Sequence, residues 1–195
     1  MIISQLTIPP ETAVFIDEDD QALIRLAKND LGAFSALYQK YASQVYRYLL
    51  VRIGNQDDAQ DLTSQTFLAA MERLHTYRSQ GHFAAWLLGI ARHKVMDQYR
   101  RRRPELALDT AVSQPHTADG PDEQVDRQLI IEQVARKLQT IAPDRAEALS
   151  LRLFAGLDVA EIARLMDKNE AAVRMLVFRG LRDLQAQLPE WEALS

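Results

Sequence analysis

The stretch DVAEIARLMDKNEAAVRMLVFRGLRDLQAQL, residues 158 to 188, carries two helical patterns separated by one break. Asp158 and Glu161 stand in the D-x-x-E spacing of a capping box, in which each side chain satisfies a backbone N–H at a helix start. The helix they open spans 159 to 166 and turns Ile162, Ala163 and Leu165 inward. Asp167, Lys168 and Asn169 form a turn. A longer helix follows, with Ala172, Val173, Leu176, Val177, Leu181 and Leu184 on its inner face. Two helices joined by a tight turn, with the small Ala163 where they cross, outline a helix-turn-helix.

Upstream of this unit the same periodicity continues. Pro143 starts a helix that ends near Gly156, and another runs from about 123 to 141. Before it, residues 104 to 126 read PELALDTAVSQPHTADGPDEQVD, acidic, rich in proline and without a sustained period, which is a linker composition. In 21 to 53 apolar residues recur at Leu23, Leu26, Ala27, Phe34, Leu37, Tyr38, Tyr41, Val45, Tyr48 and Leu49, spacings that predict amphipathic helices. Asp57, Asp58 and Asp61 open another helix at the end its dipole favours, and Leu62, Phe67, Leu68, Met71 and Leu74 follow. A loop at 77 to 82 leads into a helix burying Phe83, Trp86, Leu87, Ile90 and Val95. No strand period and no internal repeat is visible. The expected fold is all-α: an acidic extension (1–20), a helical domain (21–103), a flexible acidic linker (104–126) and a helix-turn-helix domain (127–195).

The chain has 195 residues, 47% of them hydrophobic and 26% charged, the profile of a globular protein with one or two cores. It contains no cysteine, which excludes disulfides, thiolate metal sites and thiol catalysis. The longest apolar run, FAAWLLGIA at 83 to 91, is too short to span a bilayer, and MIISQLTIPP lacks the basic start of a signal peptide. A cytoplasmic protein without membrane insertion is expected.

The net charge of -4 hides a strong asymmetry. Residues 1 to 20 and 104 to 126 together hold 11 acids and no base, whereas 21 to 103 carry 13 bases against 6 acids. The basic block ends in Arg100, Arg101, Arg102 and Arg103. One or two arginines there would suit the negative end of a helix dipole, but four adjacent cations repel one another and are best tolerated against a polyanion. Tyr77, Arg78, Ser79, Gln80 and His82 add an aromatic, cations and hydrogen-bonding groups beside this helix, the combination that stacks and holds an unpaired base; an ordinary polar surface loop has the same composition. Residues 127 to 195 are neutral overall, which limits the helix-turn-helix to a positioning role with contacts from Lys168, Asn169, Arg174 and Arg179. No catalytic constellation appears. The histidines lack ligand spacing, the aspartates at 57 to 61 are explained by a helix start, and nothing calls for a metal or cofactor.

DAQDLTSQTFLAAM at 58 to 71, FAAWLLGIARHKVMDQYRRRR at 83 to 103 and the DVAEIARLM unit, in that order, resemble the two conserved domains of bacterial extracytoplasmic-function sigma factors. The resemblance implies a transcription initiation factor that binds core RNA polymerase and directs it to promoter DNA. By that likeness the helix from Asp58 to Met71, with Asp58, Asp61, Leu62 and Gln65, would dock on the clamp helices of the beta-prime subunit, and the C-terminal domain would meet the flap of the beta subunit. Tyr77, Arg78 and His82 of the loop, with Arg92, His93 and Lys94, would capture the melted minus-ten strand, while Arg100 to Arg103 track its phosphates. The helix from Glu170 would enter the major groove at the minus-thirty-five element. An anti-sigma protein often holds such a factor inactive. The sequence departs from the family at Ser64-Gln65, at Asp167 in the turn, and in EAAVRMLVFRG, which leaves Ala172, Met175 and Leu176 at commonly polar or basic positions. Two rival readings are a stand-alone helix-turn-helix regulator of duplex operators and a helical adaptor whose arginines dock an acidic protein.

Overall fold

The computed structural model describes residues 18–78, 82–105 and 133–187. The acidic extension up to residue 17, the loop residues Ser79 to Gly81, nearly all of the expected linker and the side chains of Arg102 and Arg103 lie outside the described residues. Within them the chain is helical between short turns, with no strand. The helices are α1 (Glu18–Ala27), α2 (Leu31–Ile53), α3 (Gln56–Arg73), α4 (Phe83–Glu105), α5, described over 133–140, α6 (Pro143–Leu153), α7 (Val159–Met166) and α8 (Glu170–Ala186). A 3-10 turn, Leu74–Thr76, follows α3.

Local chemistry sets the helix starts. Asp30, Asn55, Asp158 and Asn169 each cap a helix by accepting a backbone N–H within its first turn. At α7 the expected capping box is complete: the Glu161 N–H donates to Asp158 Oδ1 at 2.7 Å, and the Asp158 N–H donates to Glu161 Oε2 at 2.8 Å. Asp167 takes the left-handed conformation at φ 53°, a position usually held by glycine, which reverses the chain between α7 and α8. Helix α4 runs through Pro104 to Glu105, slightly beyond the expected end at Arg103. Proline has no backbone N–H to donate, so the helix does not propagate far beyond it.

Along α2, Leu37, Tyr41, Val45 and Tyr48 are buried at helical spacing, and then every residue from Tyr48 to Ile53 is buried. A helix buried on all faces must be packed on all sides. Here α3, α4 and α6 all pack against α2, with Tyr99 of α4 and Glu147 of α6 both meeting its last turns. The two sequence segments therefore share their interior: Leu151, Leu157, Ile162 and Met166 join the core of α1 to α4, while Val51 of α2 packs with Leu138, Leu149 and Leu184. Each fully buried leucine contributes about 1.5–3 kcal/mol. Gly89, in the middle of α4, leaves room for Leu165 of α7, whose Cδ1 would lie 3.2 Å from a Cβ at that position.

Some apolar residues of the expected patterns face out. Leu26, Tyr38, Leu68 and Met71 are exposed, and Trp86 is only partly buried.

Candidate functional site

Three surfaces gather the residues singled out in the sequence. On α3 the exposed row Asp57, Asp61, Gln65, Leu68 and Glu72 follows helical spacing, and Gln65 Nε2 donates to Asp61 Oδ2 at 2.6 Å. Lys94 Nζ of α4 donates to Gln65 Oε1 at 3.5 Å, tying this row to the neighbouring helix. Leu62, expected on the docking face, is buried in the core instead, because Thr63, Thr66 and Phe67 share the inner face of α3 with it. Leu68 (56% exposed) and Met71 (39%) present the apolar surface on this side that Leu62 does not. A finer count of which α3 residues share the stripe of Leu62 and Phe67 could have found them.

The second surface lies at the start of α4. Tyr77, Phe83 and Trp86 form an aromatic trio with ring centroids 5.1 to 5.6 Å apart. Tyr77 is buried, and Arg78 beside it is exposed. A cavity of about 380 Å³ opens here, with Tyr77, Arg78, His82 and Trp86 on one wall and Glu161, Arg164 and Leu165 of α7 on the other. Helix α7 thus faces Tyr77, Arg78 and His82, the described residues of the expected base-capturing loop. Glu161 is 1% exposed, its Oε1 accepts no hydrogen bond, and His82 Nε2 stands 3.9 Å from it. Burial pushes the Glu161 carboxyl above its ordinary range, partly offset by the Asp158 N–H and by His82. Farther along α4, His93, Arg100 and Arg101 are exposed, and Arg100 pairs with Asp97.

Arg92, expected to face the minus-ten strand, is turned the other way. Its Nε lies 3.4 Å from Glu147 Oε1, and Arg52 Nε of α2 lies 3.2 Å from Glu147 Oε2. Tyr48 completes the clasp by donating its hydroxyl to Glu147 Oε1 at 2.8 Å. The carboxylate comes from α6 and all three partners come from the first segment. Both Nε–H groups miss hydrogen-bond alignment, so the pairing is mainly coulombic and the arginines are incompletely satisfied. Burial, followed by the Glu147 charge, pushes the Tyr48 hydroxyl well above its ordinary range. The backbone oxygen of Ala155 accepts from Gln44 Nε2 nearby, and Gln139 Nε2 donates to Ile53 O at 3.4 Å.

The third surface is the outer face of the helix-turn-helix. Lys168 pairs with Asp144 at 3.0 Å and Arg174 with Glu170 at 2.6 Å, while Asn169 is committed to capping α8. Arg179 is exposed, as are Met175 and Phe178, which the hydropathy pattern alone did not place on a surface.

The comparisons agree with this architecture. The family model of Sigma-70 region 2 matches residues 37–105, and that of Sigma-70 region 4 matches residues 131–184. These define a sigma-70-type protein, built from the polymerase- and promoter-binding regions of that class. The chain is 35% identical to the ECF RNA polymerase sigma factor BldN of Streptomyces coelicolor, across 89% of this chain and 69% of that one. It belongs to the extracytoplasmic-function family of RNA polymerase sigma factors, initiation factors that bind core polymerase and promoter DNA. Two solved structures share the fold. One is CnrH in complex with the cytosolic domain of CnrY (TM-score 0.70, 22% identity, covering 88% of this chain and 98% of that one). The other is the sigma factor RpoE of Bartonella quintana with the anti-sigma factor NepR (TM-score 0.65, 20% identity, 82% and 98%). Among the described residues no helix is long and apolar enough to cross a membrane.

Proposed function

We propose that the free protein is a closed sigma factor that must part its two halves to initiate transcription. The observation that carries this reading is the cavity beside Tyr77 and Trp86, whose far wall is α7. A base flipped out of the minus-ten strand needs the space α7 borders, so promoter capture requires α7 to withdraw. In the opened protein, Asp61, Gln65 and Leu68 of the exposed α3 row, with the partly exposed Asp58 beside them, dock on the clamp helices of the beta-prime subunit. Tyr77, Arg78 and His82 hold the minus-ten base, and His93, Lys94 and Arg100 to Arg103 follow the strand's phosphates. Helix α8 enters the minus-thirty-five major groove while its domain rests on the beta flap. The protein acts without catalysis of its own and works in the cytoplasm. Likeness to CnrH and to the Bartonella RpoE, which were solved with CnrY and NepR, supports an anti-sigma protein as partner of the free form.

The test is promoter-specific transcription by core polymerase with and without this protein. Replacing Arg100, Arg101, Arg102 and Arg103 together by alanine is expected to lower open-complex formation at least tenfold and flatten its salt dependence, with core-polymerase affinity nearly unchanged. Loss of polymerase affinity with promoter opening intact would assign the arginines to the wrong partner. A tight operator footprint by the protein alone would favour the stand-alone regulator.

A further inference from the structure

We propose that Met175 and Phe178 read thymine methyl groups in the upstream promoter element, an inference that rests on α8 entering the major groove. Both side chains are large, apolar and exposed, at 46% and 55%. They lie three residues apart, on the same face of α8 and about 4.5 Å apart along its axis. Ala171 precedes Met175 by one turn on that exposed face, and its small side chain permits close approach. Neither position supports the fold: α8 is held by Val173, Gly180 and Leu184 on its buried side.

The surroundings of the pair select the occupant. Arg174, Arg179 and Arg182 are exposed around it, and from Asp167 to Arg182 the chain carries four bases and two acids. An apolar centre rimmed by guanidinium groups fits a surface that is anionic at its edges and apolar at one spot. The major groove of duplex DNA offers this, with phosphates on both sides and the thymine C5-methyl as the apolar group on the base edges. The axial separation of Met175 and Phe178 is close to the spacing of neighbouring base pairs, about 3.4 Å, so the pair reads thymines on adjacent steps of one strand or the other. An apolar groove on a protein partner could accept the same two side chains, but it would not call for the cationic rim.

The experiment begins by selecting promoters from a library randomised upstream of the minus-ten element, using core polymerase and the full chain. Each selected thymine is then replaced by deoxyuridine, which removes only the methyl group. Transcript yield is expected to fall about three- to fourfold for each methyl group removed, the value of one buried methyl-sized group. Met175→Ala or Phe178→Ala should cause a similar loss on the thymine template and abolish the corresponding uracil penalty, while Met175→Leu should retain part of it. The proposal is overturned if uracil is as good as thymine for the parent protein, or if the penalty persists undiminished in both alanine variants. Equal loss by the alanine variants on every template would overturn it in favour of a protein partner for this face. A selection that yields no upstream base preference, together with an inert Arg179→Ala, would instead remove the underlying reading of α8.

Discussion

Glu161 serves two purposes that conflict. Its Oε2 caps α7, as the D-x-x-E spacing foretells, yet its Oε1 is buried without a hydrogen bond where the first segment packs over it. The carboxyl is pushed up by burial, so the folded protein holds that proton more tightly than the unfolded chain does. Stability contributed by the protonated form is therefore lost as pH rises through the raised value. Glu161→Gln keeps an oxygen for the Asp158 N–H and removes the charge. The variant is expected to melt at or above the parent temperature at neutral pH and to converge with it in acid; thermal melts from pH 4 to 8 check this. The capping half of this behaviour was legible in four residues of sequence. The orphaned oxygen was not, because the segment that buries it, around His82, is nearly eighty residues away along the chain.

At the scale of the element, helical spacing identified α2, α3, α4 and the helix-turn-helix because each buries a stripe against a neighbour. It did less well in saying which apolar residues belong to the stripe. On α3, Ala59, Leu62, Thr63, Thr66, Phe67 and Ala70 go inward, so two threonine side chains take places a hydropathy count gives to leucine and methionine. Leu68 and Met71 are thereby released to the surface. Replacing both by alanine is expected to leave the melting temperature within a few degrees of the parent, since exposed side chains seldom shift stability beyond about 0.5 kcal/mol. Core-polymerase affinity should drop about tenfold or more if these residues are the apolar anchors of the docking face. Titration of labelled protein with core polymerase measures it, and unchanged affinity would return the docking role to the polar row alone.

The packing of the two segments belongs to the whole molecule, and the sequence held no sign of it. Tyr48 and Arg52, one turn apart on α2, and Arg92 of α4 meet Glu147 across helices far apart in sequence, and the charge asymmetry along the chain drew attention to the acidic stretches rather than to one carboxylate in α6. Removing that carboxylate leaves two guanidinium groups facing one another with no counter-charge between them. Breaking a buried pair in this way typically costs about 3–5 kcal/mol. Glu147→Ala is expected to favour separation of the halves, read as an increased radius of gyration in small-angle scattering, with the helical content of each half retained. An unchanged radius would mean that the shared apolar interior, with Leu151 and Ile162 on one side and Leu49 and Leu87 on the other, is sufficient to hold them.

The clasp also sets a threshold. If only the parted form binds polymerase and promoter, the apparent dissociation constant equals the intrinsic one divided by the fraction of molecules already parted. Every 1.4 kcal/mol or so in the Glu147 contacts then shifts the amount of factor needed for half-maximal transcription about tenfold, while the preferred promoter stays the same. Arg52 is assigned to neither the promoter nor the polymerase, so natural variation at that one side chain is a means of retuning dose without rewriting specificity.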